Sequence, residues 1–105
     1  MTAAQFRKIA LSLDGAIEQQ HQGHPDFRAA NKIFATLAYP EESLAMVKLT
    51  PEQQREFTAT HPQVFAPVKG GWGLKGATQV HLAKADPEIA GAALTAAWRN
   101  VQKKR

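Results

Sequence analysis

The segment Leu-Ala-Met-Val-Lys-Leu-Thr-Pro-Glu-Gln-Gln-Arg-Glu-Phe-Thr-Ala-Thr at residues 44–60 changes its periodicity midway and decides the fold class. Its first part alternates, with Ala45, Val47 and Leu49 on one face, which is typical of a β-strand with one buried side. Thr50-Pro51-Glu52-Gln53 then combines a capping threonine, a proline at the first helical position and a glutamine at the capping-box position. The segment therefore predicts a strand over 44–49 and, directly after it, a helix that runs to residue 60.

Upstream of this segment the sequence predicts more strands. Alternating stretches cover 16–21, 26–29 and 32–38. A turn at Gly23-His24-Pro25 separates the first two, and Ala30-Asn31 is a hairpin connection because asparagine tolerates a positive φ. Short links of this kind favour antiparallel pairing of neighbouring strands.

The ends of the chain predict helices. Residues 2–13 carry apolar side chains at helical spacing, and Thr2 and Gln5 stand at capping-box positions. Residues 66–76 are glycine-rich and predict a loop, 77–82 alternate as a strand, and Asp86-Pro87 begins a last apolar-striped helix. The predicted fold is a single α+β domain over 1–105, α-β(3–4)-α-β(1–2)-α, with an antiparallel sheet of four to six strands and helices packed on one face.

Alternation also predicts which strand residues point away from the helices. This outward set is Phe34, Thr36, Met46, Lys48, Gln79 and His81. Phe34 and Met46 are apolar, so the sequence predicts an apolar patch on the outer sheet face that suits a protein partner. The alternative is that a loop or the first helix covers both side chains.

The charges of the 105-residue chain favour an anionic partner. There are 13 Lys and Arg against 9 Asp and Glu, a net charge of +4, and the excess lies in residues 51–105, which end in Lys103-Lys104-Arg105. A basic surface attracts nucleic acid, although a short basic tail also serves solubility alone. The absence of cysteine excludes disulfides, thiol nucleophiles and cysteine-ligated zinc. No export signal and no membrane-length apolar run is present, so we expect a cytoplasmic protein without a membrane partner.

The motifs with chemical potential give little support for catalysis. The run from Gly71 to Gly76 spells G-x-G-x-x-G but precedes a predicted strand, whereas a dinucleotide site needs a helix there. A structural turn is the simpler interpretation, and the alternative is that Lys69, Trp72 and Lys75 contact a phosphate and stack on a base. His21 and His24 form H-x-x-H with Asp26 nearby, but they flank a turn, and a third ligand would have to come from the distant His61 or His81. The sequence thus predicts no enzyme, no metal and no cofactor.

Several short stretches, in order along nearly the whole chain, resemble the YjbR (MmcQ/YjbR) family of small bacterial proteins. The stretches are Ala10-Leu11-Ser12-Leu13-Asp14-Gly15, Gly23-His24-Pro25-Asp26-Phe27-Arg28, Lys32-Ile33-Phe34-Ala35-Thr36-Leu37, Leu49-Thr50-Pro51-Glu52-Gln53, Gly71-Trp72-Gly73 with Gly76-Ala77-Thr78, and Ala97-Trp98-Arg99. The resemblance implies a compact α+β fold similar to type III secretion chaperones. It also implies DNA binding, with no catalytic residues and no cofactor.

We therefore predict a non-enzymatic DNA-binding domain that contacts phosphates without sequence specificity. The predicted contact residues are Arg28, Lys32, Lys48, Lys69, Trp72, Lys75, Arg99, Lys103 and Lys104. The alternative is a protein-interaction module, or a homodimer, that acts through the outer sheet face.

Overall fold

The computed structural model describes residues 1–21, 23–38, 41 and 43–102. The helices are α1 (Ala3–Ser12), α2 (Pro51–Thr60), α3 (Gly71–Leu74) and α4 (Pro87–Gln102), with a 3-10 turn at Leu82–Lys84. The strands are β1 (Ile17–His21), β2 (His24–Ala29), β3 (Lys32–Leu37), β4 (Leu44–Lys48), β5 (Phe65–Pro67) and β6 (Ala77–His81). All six form one antiparallel sheet in the order β1-β2-β3-β4-β6-β5. The predicted α+β class and strand number are confirmed. None of the described helices has the length and apolarity that crossing a bilayer requires.

Two of the predicted helix starts are confirmed in atomic detail. The backbone N–H of Gln5 donates to Thr2 Oγ1 at 3.1 Å, and Gln5 Oε1 accepts from the backbone of Thr2 at 2.8 Å. Thr50 and Gln53 repeat this reciprocal pair at the start of α2. Each box satisfies backbone donors that a helix N-terminus leaves without intrahelical partners.

The helices cover one face of the sheet, as predicted. The ring of Phe6 on α1 meets that of Phe27 on β2 edge-on, with 6.3 Å between centroids. Phe57 on α2 meets Phe65 on β5 in the same manner at 5.1 Å. Phe27, Phe65 and Val80 belong to the same buried cluster, to which α4 contributes Ala90, Ala93, Leu94 and Ala97. Small alanine side chains let this long helix lie close to the sheet.

A bulge in β3 corrects the predicted orientation of Phe34. Phe27 pairs with Ala35, but the next residue, Arg28, pairs with Ile33, so Phe34 is an extra residue in β3. A bulge of this kind interrupts strict alternation. Phe34 accordingly has no exposed surface and belongs to the core, whereas Ile33 is half-buried and lies outside the core cluster. The prediction that Phe34 points outward is wrong.

Met46 does not form an exposed apolar patch either. It pairs with Thr36 on one side and Gln79 on the other, as alternation predicts, but only 1% of its surface is exposed. The predicted apolar patch on the outer face is therefore wrong for both of its residues. The large apolar side chains that are exposed, among the described residues, are Ile17, Trp72 and Leu74.

The glycine-rich stretch 66–76 is more ordered than the predicted loop. Its start belongs to β5, in which Phe65 pairs with Val80 and Pro67 with Thr78. Gly71–Leu74 then form the single helical turn α3. This three-residue strand is too short to show an alternating pattern of its own, and it exists through pairing with β6 across the connection that contains α3.

Candidate nucleic-acid interface

The β2–β3 hairpin ends in a turn that brings two cations to one end of the sheet. Ala30 and Asn31 have φ values of 52° and 65°, and the flanking residues Ala29 and Lys32 pair directly. Two positive φ values in a two-residue loop are the requirement of a type I′ turn. The predicted hairpin connection is confirmed, and it sets Arg28 and Lys32 on either side of the turn.

A buried glutamine holds the α3–β6 connection against α2. Gln54 Nε2 donates to the backbone oxygens of Gly73 at 3.0 Å and Ala77 at 2.9 Å, and to Thr78 Oγ1 at 3.2 Å. The residue is 8% exposed, so these carbonyl groups have lost most of their access to water. Gln54 replaces that solvation and fixes the backbone on both sides of Lys75.

Two glycines of the G-x-G-x-x-G run are required by close backbone approach. A Cβ at Gly73 would lie 1.7 Å from the carbonyl oxygen of Val68, and one at Gly76 would lie 1.9 Å from that of Leu49. Gly76 also has a φ of 112°, which side chains rarely tolerate. The run leads into β6 rather than into a long helix, so the geometry is that of a structural turn and not of a dinucleotide site.

The end of α4 is tied to the β4–α2 junction by a single amide. Asn100 Nδ2 donates to the backbone oxygen of Lys48 at 3.1 Å and to Gln53 Oε1 at 2.8 Å. The last turns of α4, the end of β4 and the start of α2 therefore share one hydrogen-bond network. This network fixes the backbone from which the Lys48 side chain extends.

An open cleft of about 560 Å³ lies where four parts of the fold meet: the β2–β3 turn, the β4–α2 junction, the α3–β6 connection and the end of α4. We call it the basic cleft. It is lined by Arg28, Asn31, Lys32, Ile33, Lys48, Leu49, Thr50, Pro51, Lys75, Asn100 and Val101. Four of these residues are cationic and none is acidic. Cations gathered in a concave surface reinforce one another's potential, so the basic cleft is built to attract anions.

One of the four cations has a partner outside the basic cleft. Arg28 donates from Nε and Nη2 to the two carboxylate oxygens of Asp26, at 2.9 and 3.2 Å, and Asp26 is fully buried. The hydrogen bond to Asp26 raises the pKa of Arg28 above its ordinary value. Asp26 offsets one positive charge, so the net charge of the basic cleft comes from Lys32, Lys48 and Lys75.

The structure brings together five of the nine predicted contact residues. Arg28, Lys32, Lys48 and Lys75 line the basic cleft, and the Trp72 ring centroid lies 5.9 Å from Lys48 Nζ with 56% of the residue exposed. Trp72 therefore lies at the surface and not in the core. Lys69 and Arg99 are exposed and lie outside the lining of the basic cleft. Lys103 and Lys104 lie outside the described residues.

Sequence reasoning missed the polar residues that shape the basic cleft. Asn31 was recognised for its turn but not as part of a site, and Asn100 carried no pattern that distinguishes it from other polar residues of a helix. As to the histidines, the described parts of the chain hold no group of three or more His, Cys, Asp or Glu residues with metal-binding geometry.

The sheet order, the helix-covered face and the basic cleft define a small antiparallel α+β protein with an anion-attracting cleft. The YjbR family model matches residues 11–100, so the chain belongs to the YjbR family, as its sequence stretches predicted. Its structure is similar to the crystal structure of Deinococcus radiodurans protein DR2400, which carries the domain DUF419. The TM-score is 0.79 at 21% identity, over 98% of this chain and 80% of that one, which shows a shared fold. No curated protein sequence matches the chain.

Proposed function

We propose that this protein is a non-enzymatic DNA-binding domain and that the basic cleft contacts the phosphate backbone. The observation that carries the proposal is the convergence of Arg28 and three lysines on one cleft, whose lining holds no acidic side chain among the residues that the structure describes. Lysine and arginine are the usual phosphate partners, and phosphate contacts supply most of the affinity of non-specific binding. Arg28, Lys32 and Lys48 come from the half of the sequence whose charges balance, so the fold, and not the excess charge of residues 51–105, gathers most of these cations.

The backbone around each lysine of the basic cleft is held in place, which also supports the proposal. The type I′ turn carries Lys32, the Asn100 network fixes the backbone of Lys48, and Gln54 fixes the backbone beside Lys75. Three separate anchors therefore fix the backbone from which the lysines extend. Such preorganisation lowers the entropy lost on binding. The charged groups in the described lining are cations, and phosphate contacts carry no sequence information, so the expected binding is independent of sequence.

The test is a titration of labelled duplex DNA of random sequence over a series of salt concentrations. We expect dissociation constants of about 1–100 μM, typical of non-specific binding, and a log–log salt slope of about −3, near −0.9 for each neutralised phosphate. The variant Lys48→Glu/Lys75→Glu should weaken binding by about tenfold or more, because two attractive contacts become repulsive.

The matched control is Lys8→Glu/Lys84→Glu, which makes the same change in net charge at exposed positions outside the basic cleft. The proposal requires this control to bind much more tightly than the cleft variant. Equal losses in both variants would mean that only net charge matters, and a wild-type protein that does not bind would overturn the proposal outright.

Absence of DNA binding would favour the alternative of a protein-interaction module. That alternative has lost the exposed Phe34 and Met46 on which it rested. If DNA binding fails, a concentration-dependent mass in solution would revive it through the exposed Trp72 and Leu74 instead.

A further inference from the structure

The position of Trp72 at the border of the basic cleft carries an inference about the kind of DNA that binds. Lys48 lines the basic cleft, and its Nζ also lies 5.9 Å from the Trp72 ring. One cation therefore faces both the cleft and an aromatic surface. A phosphate held by Lys48 would place the neighbouring nucleotide within reach of the indole ring.

The Trp72 ring is exposed although its backbone is held firmly. Gly73 packs against the backbone of Val68 and its carbonyl accepts the Gln54 amide, so the turn that carries the ring is fixed. The other tryptophan, Trp98, is half-buried, and its indole N–H donates a hydrogen bond to the backbone oxygen of Asp14 at 2.7 Å. Trp98 thus has a structural hydrogen bond, whereas Trp72 is 56% exposed and has the Lys48 ammonium over its ring.

An exposed tryptophan beside cations offers a stacking surface for a base. Stacking needs a free base face, which a single strand provides and a paired, stacked duplex does not. We propose that the basic cleft and Trp72 together form a binding site for single-stranded DNA, with Lys48 on a phosphate and Trp72 stacked on the adjacent base.

This inference rests on the proposed function, and its test separates the two. Three probes of equal length are compared: a mixed-sequence single strand, the same strand annealed to its complement, and a single strand of abasic sites. The abasic strand keeps the phosphates and lacks the bases. We expect the wild-type protein to bind the mixed-sequence strand about tenfold more tightly than the abasic strand, within the range of stacking effects.

The variants assign that difference to one side chain. Trp72→Ala should lower the affinity for the mixed-sequence strand to that for the abasic strand and affect duplex binding far less, whereas Trp72→Phe should keep most of the difference. Leu74→Ala is the matched control, because it removes an apolar side chain that is 82% exposed on the same turn. It should bind all three probes as the wild-type protein does.

Spectroscopy gives a readout that does not depend on affinity. Tryptophan emission should be quenched by the mixed-sequence strand in the wild-type protein and not in Trp72→Ala. Equal binding of the mixed-sequence and abasic strands would overturn the inference and leave the proposed function standing. Failure of every probe to bind would overturn both, and an equal loss of all probes in Trp72→Ala would overturn the stacking role.

Discussion

Asn100 on α4 donates a hydrogen bond to Gln53 on α2, with 2.8 Å between Nδ2 and Oε1. The same Oε1 accepts from the backbone N–H of Thr50 at 2.9 Å, as part of the capping box that starts α2. The Gln53 amide oxygen therefore both caps α2 and holds the end of α4. This contact lies beside Lys48, which lines the basic cleft. The capping box of α2 and the hydrogen bond between Asn100 and Gln53 should therefore be energetically coupled.

The first prediction measures this coupling. In a double-mutant cycle of Asn100→Ala and Gln53→Ala, the two losses in the free energy of unfolding should be non-additive by about 1 kcal/mol, the range of a partly buried hydrogen bond. Chemical denaturation provides the values. The matched control pairs Asn100→Ala with Gln5→Ala, which removes the same chemistry from the capping box of α1. That pair should be additive, and additivity in both pairs would contradict the assigned network.

The second prediction concerns the buried carboxylate behind the basic cleft. Asp26→Asn keeps the shape of the side chain but removes the charge that offsets Arg28. The protein should become less stable, because a charge-assisted pair is lost, while its affinity for DNA rises and the salt slope steepens by up to about 0.9. The Arg28 guanidinium stays charged in both proteins, because arginine is protonated at any pH used for such measurements.

Asp14→Asn is the control for that experiment, since it gives the same change in net charge at an exposed position outside the lining of the basic cleft. A gain in affinity of equal size in both variants would show that Asp26 does not act through the basic cleft.

The third prediction uses the three glycines of the G-x-G-x-x-G run as an internal series. Gly73→Ala and Gly76→Ala should each lower the free energy of unfolding by about 2 kcal/mol or more, because the new methyl groups meet the backbone of Val68 and Leu49. Gly71→Ala has nothing within 4 Å and should be neutral or stabilising by up to about 1 kcal/mol. Thermal and chemical denaturation rank the three. Equal effects would argue against the close approach seen at Gly73 and Gly76.

The fourth prediction concerns two adjacent glutamines, Gln53 and Gln54. It compares how the stability of their glutamate variants depends on pH. Gln54 acts as a donor to carbonyl oxygens, so Gln54→Glu would place a carboxylate against acceptors and cost about 3 kcal/mol at neutral pH. Burial and the facing carbonyls should raise the pKa of the new carboxyl above its unfolded value of about 4.3. The protonated carboxyl can donate again, so the penalty should shrink as the pH falls toward 4.3.

Gln53 provides the control, because its Oε1 accepts hydrogen bonds at a helix N-terminus. Gln53→Glu should therefore leave stability at neutral pH unchanged or slightly higher. Denaturation of both variants at several pH values checks the contrast. A Gln54→Glu penalty that does not depend on pH would contradict the donor role.

The parts of the fold that local chemistry dictates could be predicted. Thr2 and Thr50 cap helices through contacts with residues three positions away, and Ala30-Asn31 closes a hairpin between neighbouring strands. The bulge at Phe34 escaped prediction because alternation assumes one residue on each strand at every step. Strand β5 escaped prediction because its three residues are too few to show alternation.

The site was predictable in its chemistry but not in its assembly. Lys32, Lys48 and Lys75 were predicted as phosphate partners from their charge, yet Lys69 and Arg99 have the same chemistry and lie outside the basic cleft. Only the tertiary fold decides which cations share a surface. Asn100 illustrates the same limit, since its role depends on a helix end meeting a strand end 52 residues earlier.

The two edges of the sheet differ in their capacity to accept another strand. Strand β5 has three residues, and Pro67 has no N–H to offer a neighbour. Strand β1 at the other edge has five residues, lacks proline and begins at the half-exposed Ile17. Short, proline-containing edges resist the edge-to-edge growth that leads to aggregation. At high protein concentration, β5 therefore resists pairing with a strand of another molecule. Strand β1 is the edge at which such intermolecular pairing is expected.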